Sequence, residues 1–147
     1  MNLIEPKIIN GNIFLDDRGE LTFNNSFKFR SIKRFYTVTN HSNNFVRAWH
    51  GHQKEEKYFL CTEGSFMVGV VKIDNFQKPS KKLEVKKFFL TNNGCILYVP
   101  SGYANGFINF TLENKLIIFS NMDLEASMND DYRYDYDYWN IWNKNFR

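Results

Sequence analysis

The run Ser65-Phe66-Met67-Val68-Gly69-Val70-Val71 is apolar at consecutive positions, so a strand built from it carries apolar side chains on both faces. Such a strand cannot lie on a half-solvated sheet. Each face needs a cover, from a second sheet or from a partner subunit. Around it the chain repeats short apolar runs: Lys7 to Phe14, Glu20 to Phe23, Ile32 to Thr39, Lys57 to Thr62, Leu83 to Leu90, Ile96 to Val99, Phe107 to Leu112 and Lys115 to Ser120. Turn-forming clusters separate them, among them Asp16-Asp17-Arg18-Gly19, Asn40-His41-Ser42-Asn43-Asn44, Thr62-Glu63-Gly64 and Asn92-Asn93-Gly94. This rhythm predicts an all-β domain of two packed antiparallel sheets. Fifteen Phe and eight Tyr against three Pro point the same way, because rings pack well on a pleated surface. No linker-like stretch divides residues 1–147, and a single core is expected.

The tail from residue 130 to 147 alternates Tyr132, Tyr134, Tyr136 and Tyr138 with Arg133, Asp135 and Asp137. That period predicts an extended aromatic arm, docked on the domain or across a dimer. The formal charge of +3 comes from basic residues interspersed with acidic ones. Nucleic-acid binding is therefore not expected, whereas a small anionic ligand such as a diphosphate needs only two or three placed cations. Cys61 and Cys95 lie in apolar runs and read as reduced core residues. With no secretory or membrane-length apolar segment in view, a cytoplasmic protein away from membranes is expected.

The chemistry concentrates at Val46-Arg47-Ala48-Trp49-His50-Gly51-His52, which holds two of the three histidines beside an arginine. On a strand, His50 and His52 share a face with Cα atoms roughly 6.6 Å apart. Two histidines with a nearby carboxylate such as Glu56 serve either as a metal's ligands or as a proton-transfer set, since neutral imidazole is both ligand and base. For Lys57 to join them, strand parity must break across Gln53-Lys54-Glu55-Glu56, in a turn or a bulge. A second block, Gly94-Cys95-Ile96-Leu97-Tyr98-Val99-Pro100-Ser101-Gly102-Tyr103-Ala104-Asn105-Gly106-Phe107, carries a Pro-x-Gly followed by a polar residue.

Together the two blocks resemble the paired motifs of the cupin superfamily. Asp17-Arg18-Gly19, Ile32-Lys33-Arg34-Phe35-Tyr36, Arg47 to His52 and Cys61 with Gly64-Ser65 resemble the dTDP-sugar 3,4-ketoisomerases, through the first half of the chain. Pro100 to Phe107, Arg47 with His50, Lys57 seven residues before Gly64, Lys78-Pro79-Ser80 and Tyr134 to Trp142 are closer to the dTDP-4-dehydrorhamnose 3,5-epimerases. The resemblance implies a double-stranded β-helix, the cupin jelly roll, acting as a homodimer on a nucleotide-linked 4-keto-6-deoxyhexose. It implies no cofactor and no metal, because metal-binding cupins place a third histidine where this chain has Asn105. His50, His52 and Glu56 remain the alternative metal set.

The implied roles are His50 as base with His52, Lys57, Tyr36 and Tyr103 as its catalytic companions, and Arg18, Glu20, Arg47 and Asn105 as substrate-binding residues. Three family features are unmatched. The aspartate that orients the epimerases' histidine lies beyond the point where this sequence stops, and their acid tyrosine falls near Ile118 and Phe119. Thr37 likewise stands where the ketoisomerases have a second phenol. The longer match favours epimerisation at C3, C5 or both, in the making of surface-polysaccharide sugars. A 3,4-ketoisomerase is the alternative, and a sugar-nucleotide-binding cupin without turnover the other.

Overall fold

In the computed structural model, which describes residues 4–143, strands account for almost all regular structure. They are β1 (Lys7–Ile9), β2 (Asn12–Asp16), β3 (Gly19–Phe23), β4 (Arg34–Val38), β5 (Val46–His52), β6 (Lys57–Glu63), β7 (Ser65–Lys72), β8 (Val85–Thr91), β9 (Ile96–Val99), β10 (Tyr103–Asn109), β11 (Lys115–Ser120) and β12 (Tyr132–Arg133). One short helix, α1 (Leu124–Met128), follows β11. The strands form two five-stranded antiparallel sheets, ordered β1-β9-β6-β11-β4 and β12-β5-β10-β7-β8, with β2-β3 as a separate hairpin. These are the two packed antiparallel sheets anticipated from the strand rhythm, in the jelly-roll form that the cupin resemblance implied. The final residues of the expected arm, 144–147, lie outside the described residues. No described helix is long and apolar enough to cross a membrane.

The two-faced run of β7 explains the layering. Its residues Phe66, Val68 and Val70 meet Phe59, Cys61, Leu97, Val99, Leu116 and Ile118 of the opposite sheet in the inter-sheet core. On the other face, Met67 and Val71 join Trp49, Ala104 and Ile108 under Trp139 and Trp142 of the C-terminal segment. The second cover is thus the chain's own arm. Tyr134 pairs by backbone with Trp49 in both directions, at 2.9 and 3.1 Å. Gly69 makes the seat, since a Cβ there would stand 2.7 Å from the Trp49 ring and from Ile141. Gly64, with φ 74°, turns β6 into β7 in the left-handed region that β-carbons disfavour.

Local details differ from the runs read along the chain: the run Lys7 to Phe14 breaks into β1 and β2, and the tail leaves its strand after Arg133 for a turn in which the Tyr138 N–H donates to the Asp135 carbonyl. β10 starts at Tyr103, four residues before the expected Phe107, because Pro100-Ser101-Gly102 is a turn and Gly102 takes φ 87°. α1 was not anticipated: Asp123 caps it by accepting from the Ala126 N–H at 2.9 Å, and five residues carry too little periodicity to announce a helix.

Candidate active site

Between the sheets, open at one end, lies a cavity of about 310 Å³. One wall comes from β5 and β10 and carries Arg47, His50, His52, Asn105 and Phe107. The facing wall comes from β4, β6 and β11 and carries Arg34, Tyr36, Val38, Lys57 and Ile118. Leu124, Ser127 and Met128 of α1, with Asp131 and Arg133, close the rim. Six of the nine residues named for the site in the sequence therefore meet here: His50, His52, Lys57, Tyr36, Arg47 and Asn105.

Two breaks of strand parity assemble them. In β5 the register against β10 shifts, with Asn105 opposite His50 and Phe107 opposite Arg47, so Ala48 and Trp49 together oppose Gly106 alone. This bulge lets Arg47 and His50, three apart, face one side. The second break is the turn at 53–56 that carries the chain from one sheet to the other and delivers Lys57 opposite the histidines. Asp130 holds that turn: its carboxylate accepts from the backbone N–H groups of Gln53, Lys54 and Glu55 at 2.8, 2.9 and 2.8 Å.

Three expected site residues stand elsewhere. Tyr103 is an inward residue of β10, but its ring packs into the inter-sheet core and borders a separate cleft of about 410 Å³ with Ile4, Glu5 and Lys86. Arg18 and Glu20 sit at the exposed tip of the β2-β3 hairpin, where Arg18 pairs with Asp16. Glu56 is also apart from the histidines, because the turn aims it at the Tyr98 hydroxyl, 2.6 Å away. His50, His52 and Glu56 therefore do not converge as a ligand set. Among the described residues, no group of three or more His, Cys, Asp or Glu is arranged to hold a metal ion.

His52 is the better fixed of the pair. Its Nδ1 lies 2.6 Å from the Asp130 carbonyl, which can only accept, so Nδ1 carries the proton and Nε2 keeps its lone pair in the neutral ring. That Nε2 is buried with no partner, and so is the Nδ2 donor of Asn105. His52 and Asn105 both line the cavity, so one buried acceptor and one buried donor stand at its wall without protein partners. Burial, and then the Lys57 cation, push the His52 imidazole below its ordinary range.

His50 is a third exposed, with Nδ1 3.9 Å from an Asp131 carboxylate oxygen, beyond hydrogen-bond length. Burial first, then Lys57 and Arg133, push its pKa from 6.5 down to about 4, against the opposing pull of Asp131. At neutral pH it is a neutral ring, free to accept a proton.

Arg34, Arg47, Lys57 and Arg133 give the cavity four cations against one lining carboxylate, Asp131. A positive cleft with low-dielectric walls concentrates anions. Arg47 is aimed by Asn40, whose Oδ1 accepts from its Nε at 2.7 Å, and Asn40 is in turn locked to Asn109 and Asn114. Glu55, Ser127, Asp130, Asp131 and Arg133 were not singled out in the sequence. For the last three the one signal was the charged group Asp130-Asp131-Tyr132-Arg133 before the aromatic tail, masked by the alternation that follows it.

Residues 4–144 match the family described as WxcM-like, C-terminal (FdtA). The chain belongs to this family. The family is an RmlC-like cupin domain, with which the two-sheet fold agrees. No curated protein matches the sequence. Among solved structures, the chain is similar to a mutant of the 3,4-ketoisomerase QdtA from Thermoanaerobacterium thermosaccharolyticum in complex with TDP-4-keto-6-deoxyglucose. The TM-score is 0.69 at 23% identity, over 93% of this chain and 92% of that one. It is also similar to the TDP-quinovose 3,4-ketoisomerase WlaRB from Campylobacter jejuni, at TM-score 0.66 and 25% identity over 92% and 96% of the chains. The dTDP-4-dehydrorhamnose 3,5-epimerase of Bacillus anthracis, with TDP and pyrophosphate bound, superposes at TM-score 0.71 and 18% identity over 87% and 77%. WxcM-like and epimerase chains thus share one scaffold, and the side chains in the cavity must distinguish their chemistry.

Proposed function

We propose that this WxcM-like cupin is a 3,4-ketoisomerase of a nucleotide-linked 4-keto-6-deoxyhexose, the dTDP form being the first candidate, in the making of surface-polysaccharide sugars. The observation that carries this reading is that His50 and His52 share one cavity wall while Tyr103 stands outside the cavity. The match to the WxcM-like family and the likeness to two 3,4-ketoisomerases support it. Epimerisation, favoured by sequence length of match, draws its support from Lys57 and the second motif and has Tyr36 as the phenol across from the histidines.

The steps balance with two bases. The C4 ketone acidifies the C3 proton, which passes to His50 and leaves an enolate on O4, offset by the cations of Lys57 or Arg47. His52 Nε2 takes the O3 proton and returns it to O4. His50 then gives its proton to C4, leaving the ketone at C3 and both rings neutral. Neither a cofactor nor a metal enters these steps. Arginines with planar forks suit the diphosphate.

Incubating the protein with dTDP-4-keto-6-deoxyglucose in D₂O and following the sugar by NMR tests the reading. Conversion to a 3-keto product with protium retained at C5 is expected. Deuterium at C5 would instead make the enzyme an epimerase, and tight binding with neither conversion nor exchange would make it a binding module.

The homodimer implied by the resemblance fits the hairpin, whose Phe14, Leu15 and Leu21 project into solvent, Leu15 at 72% exposure. Phe14 and Leu21 are cross-strand partners on one face and Leu15 lies on the other, so a second copy clasping the hairpin would carry Arg18 and Glu20 to a shared boundary, where they could serve the nucleotide. Light scattering should give a molar mass near twice 17.5 kDa, and Leu15→Lys with Leu21→Lys should halve it. A wild-type monomer would remove the dimer from the proposal.

A further inference from the structure

We infer that Glu55 is a positioning residue for His52, an anion fixed beside Nδ1 of the imidazole to balance the proton that its other nitrogen takes up in turnover. Glu55 is 1% exposed, and its Oε2 lies 3.2 Å from His52 Nδ1. A glutamate in a turn between two sheets would ordinarily reach for solvent, and burying one is costly unless it is paired. Here each oxygen is held. Oε1 accepts from Ser120 Oγ at 2.6 Å and from Arg34 Nη2 at 3.3 Å, and Oε2 accepts from Ser127 Oγ at 2.9 Å. The backbone N–H of Glu55 is tied to Asp130, whose carbonyl accepts from the same His52 nitrogen. The arrangement is base, buried carboxylate and hydroxyl clamps, with the second ring nitrogen, Nε2, buried and unpartnered in a side chain that lines the cavity.

The role rests on the ketoisomerase reading, in which His52 carries a proton from O3 to O4. During that transfer His52 is briefly an imidazolium facing Lys57 of β6, Asp130 and His50 of its own strand, and Glu55 is the charge in contact with it. Removing the charge while keeping the shape should slow the proton's journey and leave substrate binding nearly untouched.

Glu55→Gln is the test, with two readouts. With dTDP-4-keto-6-deoxyglucose, kcat is expected to fall at least tenfold with KM within about twofold. Without substrate, the ring nitrogen signals of His52 should keep the Nδ1–H tautomer while the protonation midpoint moves lower than in wild type. Where Glu55→Gln does not fold, Ser127→Ala loosens Oε2 and should lower kcat alone by a smaller factor. An unchanged kcat and an unmoved His52 midpoint, in whichever variant folds, would overturn the inference. Failure of the ketoisomerase reading looks different: wild type itself gives no 3-keto product, while the substrate-free His52 signals still report on Glu55.

Discussion

Replacement of His50 by asparagine is expected to lower turnover by about 10²–10⁴-fold, the usual worth of a positioned general base, while the protein stays folded. His50 is a third exposed and makes no hydrogen bond that the core depends on, so the loss would fall on chemistry. The same variant carries a signature in stability. Above pH 6.5 the ring is neutral in folded and unfolded chains alike, and it contributes its full stabilising effect. Between pH 6.5 and about 4 the unfolded chain takes a proton that the folded site resists, so stability falls as the pH drops through this window. Denaturant melts of wild type and His50→Asn at a series of pH values should show a shallower acid-side decline in the variant. Turnover within threefold of wild type would remove His50 from the reaction.

Asp130→Ala is expected to be the most damaging single change to the fold around the site. Three backbone N–H groups converge on its buried carboxylate, and hydrogen bonds to a charged acceptor are worth about 1.5–3 kcal/mol each, with less than full additivity. A net loss of about 4 kcal/mol corresponds to a melting temperature lower by roughly 10 °C in a chain of this size. Asp130→Asn, which keeps one acceptor oxygen, should fall between. Circular dichroism melts measure both, and a shift below about 2 °C for the alanine variant would show that water can satisfy the turn instead.

The jelly roll was readable because its signal is periodic and redundant. Nine apolar runs between turn clusters admit few other architectures, and β7 announced by its composition that both of its faces would be covered. What could not be read was the identity of the second cover, because a docked arm and a partner subunit demand the same apolar surface from the strand beneath. The histidine pair was legible from spacing, and Lys57 from the requirement for a turn. Glu55 was not, since a charged residue among Gln53, Lys54 and Glu56 looks solvated until Ser120, Ser127 and Arg34 are brought around it from distant strands. Tyr103 shows the converse limit: it was named as an available phenol, but it lay outside the expected strand, and where its ring would come to rest depended on packing between two sheets that no local pattern encodes.

Trp49, Trp139 and Trp142 are the chain's entire complement of indoles, and they touch one another at ring-centroid separations of 5.4 and 5.2 Å around Trp49. Two of them donate their ring N–H to the same Tyr136 carbonyl. None of the three borders the histidine cavity. The protein's intrinsic ultraviolet emission is therefore a gauge of whether the terminal strap is seated, and it is nearly blind to what occupies the interior chamber. A dye displaced by the ligand, or a heat signal, is the appropriate optical or calorimetric handle for titrations, while a red-shifted emission preceding the loss of β-sheet signal would mark the strap peeling away first.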